Sequence, residues 1–238
     1  MPEYPQIDKY ANLKSPIHNW DVRVKLISIL ILIFSVVLVD NLKTAFFGFI
    51  FALILIIISK IPVNFIFIYL RWISFFIIFL FVILMFTAGL EKASLVSLRA
   101  ATAFLLIFPM LATARFDTTL KALEKIGIPD KLVQIIQFTY RYIFVFTDEI
   151  QMMFRAMKSR GFKAGTNLYT MKTIGTMIGM LFVRSFERSE RVYNAMVSRG
   201  YDGTTRTIIE FKINKFDLVK AFIIVSFAVS LHFIKLIL

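Results

Sequence analysis

The sequence predicts an all-α integral membrane protein, with about five transmembrane helices plus cytoplasmic amphipathic helices. Three observations carry that expectation. Of 238 residues, 58% are hydrophobic and 27 are phenylalanine, too apolar a balance for a soluble domain. Long uncharged runs recur between short polar breaks, as membrane spans require. The charge is also concentrated: residues 115–220 hold 18 of the 28 Lys and Arg but 10 of the 15 Asp and Glu, a net +8 within a total of +13. Basic blocks beside spans lie on the cytoplasmic side.

The first 22 residues contain Glu3, Asp8 and Asp21 and no apolar core, so no cleavable signal peptide is expected. Trp20 with Arg23 and Lys25 reads as an interfacial anchor ahead of the first uncharged run, Leu26 to Val39. A second run, Thr44 to Ser59, stops at Lys60-Ile61-Pro62, and both are short enough to need extension by flanking residues. Ile61 to Leu90 carries Arg71 alone and is taken as one span centred on 72–88. A fourth runs from about Leu95 to Ala114, with Arg99 snorkelling at its outer end and Pro109 marking a kink.

From Arg115 the character changes. Residues 117–125 are amphipathic, and Gly127-Ile128-Pro129-Asp130 ends one helix and starts another. The next helix, about Asp130 to Ser159, is too charged for lipid and too apolar for a wet surface, which suits the interface. Met171–Val183 is again apolar and holds Gly175 and Gly179 at a spacing that lets helices approach closely, here expected within the protein itself. A charged stem follows, and residues 221–238 form a last span. The organisation is therefore 1–116, an N-terminal membrane region of about four spans; 117–216, a cytoplasmic or interfacial region; and 217–238, a C-terminal transmembrane helix. Five spans with the N-terminus inside place the polar block in the cytoplasm.

Within that block one pattern is written twice. Ala156-Met157-Lys158-Ser159-Arg160-Gly161-Phe162 recurs as Ala195-Met196-Val197-Ser198-Arg199-Gly200-Tyr201, agreeing at six of seven positions when the aromatics are counted together. Each copy closes a helical segment, with glycine where a left-handed residue commonly ends a helix. That presents Arg160 and Arg199 at the tips of two rods, free to fork onto a carboxylate or phosphate. Two ordinary caps would explain one copy; the recurrence points to two equivalent sockets on a dimeric partner.

No catalytic constellation accompanies the pattern. There is no Walker A loop, no Gly-x-Ser-x-Gly, no His-Glu-x-x-His and no paired intramembrane carboxylate. Asp202-Gly203 opens like a lipid phosphotransferase motif, but the further aspartates that hold its metals do not follow. Cysteine is absent, which excludes thiol and iron–sulfur chemistry, and two histidines argue against a transition-metal site. No nucleic-acid reading motif accompanies the positive charge.

These residues resemble the transmembrane T component of energy-coupling factor (ECF) transporters. Pro129 after Gly127-Ile128, then Tyr140-Arg141-Tyr142 and Glu149, look like the segment leading into that family's first signature. The two motifs resemble its paired Ala-Arg-Gly signatures, with Ser159 and Ser198 where the family commonly has alanine. Ile7 to Ala11, Ser15 to His18, Asp21-x-Arg23-x-Lys25, and Glu190 leading to Arg199, Gly200 and Asp202 resemble the cobalt or nickel branch, the CbiQ type. The resemblance implies a non-enzymatic coupling subunit of a cell-membrane importer that itself binds no cofactor. ATP is used by two cytoplasmic ABC-type ATPases, which the chain joins to a membrane substrate-binding S component, CbiM-like in this branch, for cobalt or nickel uptake. It assigns ATPase coupling to Ser159, Arg160, Gly161, Ser198, Arg199 and Gly200, with Pro129, Tyr140, Arg141, Glu149, Glu190 and Asp202 in support. The alternatives are a T component serving a vitamin transporter, a membrane-embedded lipid-modifying enzyme, which would need clustered acids, and a self-contained secondary transporter, which would need repeated broken spans.

Overall fold

In the computed structural model, residues 13, 15–203 and 214–237 are described; the stretch Ile7 to Ala11 lies outside them. Among the described residues the structure is helical and contains no strand. The chain divides into two compact units, residues 1–127 with 209–238, and residues 128–208.

The first unit is built around α1 (Val22–Leu38). Its buried positions Lys25, Ser28, Ile29, Leu32, Ser35 and Val36 recur at three- and four-residue spacing, so one stripe faces the protein. Ile27, Leu30, Phe34 and Leu38 occupy the outward face. α8 (Lys215–Ile237), α4 (Leu90–Ile107) and α5 (Phe116–Ile126) pack on α1. α2 (Leu42–Ser59) packs on α4 and α8, presenting a small-residue stripe of Ala45, Gly48 and Ala52. Such stripes let helix backbones close in where lipid gives no hydrophobic drive. A Cβ on Gly48 would stand 3.2 Å from Val36 Cγ2. Ser35 Oγ donates to the Ala228 carbonyl at 2.6 Å, and Phe51 stacks on Phe227 at 3.9 Å between centroids, tying α8 to α1 and α2.

α3 (Val63–Ala88) is different: it packs on α4 and leaves most of its circumference exposed. Among the described residues, four helical segments are long and apolar enough to cross a membrane: 42–59, 64–88, 90–112 and 215–233. The first uncharged run of the sequence forms α1, whose 17 residues are about 25 Å of helix, somewhat short of the ~20 residues a span needs. The fourth span continues beyond α4 into a π-turn, Phe108–Ala112, with Pro109 as its second residue. Proline cannot donate to the preceding turn, and the wider turn absorbs the mismatch. Phe65 and Tyr69 of α3 pack beside Phe108 at 6.3 and 6.4 Å between centroids.

Two side chains sit differently from their expected places. Trp20 does not stand out from the protein as an exposed anchor; it is 4% exposed and belongs to the core with Ile17, Ile29 and Leu32. Arg99 does not snorkel alone: its guanidinium reaches Asp40 of the α1–α2 connection at 3.3 Å.

The second unit contains α6 (Asp130–Ser159) and α7 (Leu168–Val197), each 30 residues long, which touch over a short stretch. The apolar stretch from Met171 and the charged stem after it form one unbroken helix. Among the described residues nothing lies within 4 Å of a Cβ built on Gly175 or Gly179, so these glycines mark no close helix contact there.

Candidate functional site

Both repeated motifs close their helices in the same way. In the first, the Gly161 N–H donates to the Lys158 carbonyl at 3.0 Å and the Phe162 N–H to Met157 at 3.1 Å. In the second, Gly200 donates to Val197 at 2.9 Å and Tyr201 to Met196 at 3.0 Å. This pair of bonds is the Schellman closure, which needs a left-handed residue where the helix stops. Gly161 and Gly200 supply it with φ of 81° and 82°.

The serines behave alike too. Ser159 Oγ donates to the Arg155 carbonyl at 3.1 Å, and Ser198 Oγ to Asn194 at 2.9 Å. Each hydroxyl is folded onto its own helix, so an alanine would present the same outer surface. Met157 and Phe162 are half-buried, as are Met196 and Tyr201, and Phe162 lies 6.4 Å from Tyr169 at the start of α7. Arg160 and Arg199 are exposed, and among the described residues neither guanidinium has a hydrogen-bond or ion-pair partner. Each sits beside helix carbonyls that carry partial negative charge. The geometry offers two planar, five-donor forks, suited to carboxylates.

The supporting residues are dispersed. Pro129 occupies the N-cap of α6, where its fixed φ of −55° suits helix entry and its carbonyl accepts from Leu132 at 2.9 Å. Tyr140 meets the Phe144 ring edge-on at 5.4 Å, and Arg141 is exposed. Glu190 is exposed on α7, and Asp202 is exposed in the turn after the second motif. Glu149 is buried and takes an Arg184 nitrogen at 3.1 Å on one oxygen, with Arg188 at 4.0 Å from the other. Those two arginines were not singled out from sequence; a partner 35 or 39 residues away leaves no local signal. Arg184 and Arg188 do stand one turn apart on one helix face, where like charges repel unless an anion lies between them.

The fold and these tips define the class: a multi-pass α-helical membrane protein that displays a duplicated basic helix end. The chain belongs to the CbiQ family of cobalt transport proteins, whose profile matches residues 13–209. It is a CbiQ-like T component of an ECF transporter. An uncharacterized protein of Methanocaldococcus jannaschii, MJ1571, is 29% identical over 247 positions, covering 94% of this chain and 83% of its own. The energy-coupling factor transporter transmembrane protein EcfT of Macrococcus caseolyticus is 27% identical over 227 positions, covering 83% of this chain and 84% of its own. A putative fused cobalt transport protein, CbiMQ, of Methanocorpusculum labreanum is 31% identical over 117 positions, covering 49% of this chain and 19% of that protein.

Proposed function

We propose that this chain is the non-enzymatic coupling subunit of an importer for cobalt or nickel ions, joining two cytoplasmic ABC-type ATPases to a membrane substrate-capture subunit. The observation that carries the reading is the pair of identically closed helix tips whose guanidinium forks have no partner among the described residues. Each fork would enter an acidic groove on one ATPase of a dimer, so that closure of the dimer on ATP moves both rods together. The chain itself holds neither ATP nor a metal cofactor, and Ser159, Gly161, Ser198 and Gly200 serve by presenting the arginines. Pro129, Tyr140, Arg141, Glu190 and Asp202 support the coupling region. The net positive charge of residues 115–220 favours a cytoplasmic location for this block and for the N-terminus. The name of the fused CbiMQ relative favours a CbiM-like membrane partner and cobalt.

The test is co-purification of the chain with the ATPases of its own cell, comparing wild type with Arg160→Glu, Arg199→Glu and the double variant. Loss of one desolvated charge pair at an interface costs about 2–5 kcal/mol. Each single variant should therefore weaken the complex and the double variant should abolish it. Retention of the ATPases by the double variant would overturn the reading. Uptake of radioactive cobalt by cells carrying the intact complex, competed by nickel, tests the cargo.

A further inference from the structure

The repeat extends beyond the seven-residue motif. Shifting α6 by 39 residues lays Arg160 on Arg199, Phe154 on Tyr193, Asp148 on Glu187 and Ile135 on Ile174. The same shift lays Glu149 on Arg188, which face each other across the contact between α6 and α7. In a twofold-related pair, equivalent positions meet each other where the axis passes. Glu149 and Arg188 thus mark a local pseudo-twofold between the two helices. Each stands eleven residues before its tip arginine, so the two arms are equal, about 16 Å of helix each.

The charges fit this place. The neighbouring equivalent pair, Asp148 and Glu187, keeps its sign, whereas 149 and 188 have opposite signs where the arms touch. Identical residues there would have to be apolar or would repel. Arg184, one turn earlier, completes the grip with the 3.1 Å bond, and Glu149 is 8% exposed. An apolar contact between helix ridges can slide by a turn; a carboxylate held on both oxygens fixes one register.

We propose that Glu149, held by Arg184 and Arg188, is the pivot of residues 128–208: a positioning pair that sets the two arginine tips at equal distances from their crossing. Its consequence in transport rests on the coupling reading above, but its geometry does not. The sequence has no cysteine, so Lys158→Cys and Val197→Cys, at equivalent exposed positions beside the tips, would be the molecule's two thiols. Nitroxides on both, read by pulsed electron paramagnetic resonance on the full chain in lipid nanodiscs, report the tip-to-tip distance without any partner. A single narrow distance is expected with the native pivot. Glu149→Gln, and separately Arg184→Gln with Arg188→Gln, should lose the narrow peak while circular dichroism retains the helix signal. Reversing the cluster, Glu149→Arg with both Arg184→Glu and Arg188→Glu, should restore it. A narrow peak that survives Glu149→Gln, or a reversed cluster as broad as that variant, overturns the pivot. Neither result bears on ATPase binding, which the co-purification reads separately.

Discussion

Lys25 Nζ donates to Thr113 Oγ1 at 2.8 Å, and Thr113 in turn donates to the Pro109 carbonyl at 2.7 Å. A fully buried lysine at the start of α1 is thereby tied to the π-turn that ends the fourth span. The two ends of this link are unequal. Thr113→Val removes the hydroxyl and leaves a buried ammonium without its partner, which costs about 1.5–3 kcal/mol for a charged group. Lys25→Met removes the charge while the Thr113–Pro109 bond persists, and should cost less. Thermal unfolding in one detergent should rank Thr113→Val below Lys25→Met and both below wild type.

Asp21 caps α1, accepting the Arg23 backbone N–H at 2.9 Å and its guanidinium at 2.9 and 3.2 Å. Burial disfavours the charge, but the Arg23 side-chain and backbone hydrogen bonds outweigh it and hold the carboxyl below its ordinary 3.8. A depressed value stabilises the fold fully above the unfolded carboxyl's pKa and loses that contribution as pH falls through the folded one. Acidification below about pH 4 should therefore destabilise wild type more steeply than Asp21→Asn. At neutral pH the variant should lose on the order of 1 kcal/mol, the usual worth of such a cap. Equal acid slopes in the two proteins would remove Asp21 from the account.

At the tips, serine and glycine should respond differently. Ser159→Ala and Ser198→Ala should lie within about 0.5 kcal/mol of wild type, because each hydroxyl serves only its own helix. Gly161→Ala and Gly200→Ala meet no atom within 4 Å, so their cost is backbone strain alone, about 1–2 kcal/mol each. Amide hydrogen exchange at residues 157–162 and 196–201 should show faster opening in both glycine variants and by similar amounts.

Gly48→Val should destabilise the first unit by about 1–3 kcal/mol, since its branched carbons would drive into Val36 Cγ2. Pairing it with Val36→Ala should recover part of the loss in a thermal melt.

The membrane helices were legible because an uncharged run is a local property: α2 and α3 follow their runs to within a few residues, while α4 begins at Leu90 and α8 at Lys215, five and six residues ahead of the runs that predicted them. The helix tips were legible for the same reason, since the Schellman closure is encoded within seven residues. Trp20 and Arg99 were not, because their places depend on partners distant in sequence: the core under α1 and Asp40. Glu149 is the instructive case. Its position could be found from sequence, but its partners Arg184 and Arg188 required the crossing of two helices.

α3 carries one further implication. Its apolar segment, 64–88, is about 37 Å of helix, whereas a bilayer's hydrocarbon core is about 30 Å thick. That excess is absorbed by leaning over or by thickening the lipid locally. Gly89 alone separates α3 from α4, and the Phe65–Tyr69–Phe108 junction beside the π-turn lies near the other end. Acyl-chain length therefore becomes a setting of the protein: shorter lipids demand a steeper lean of α3, and the hinge at Gly89 and the aromatic junction must follow it.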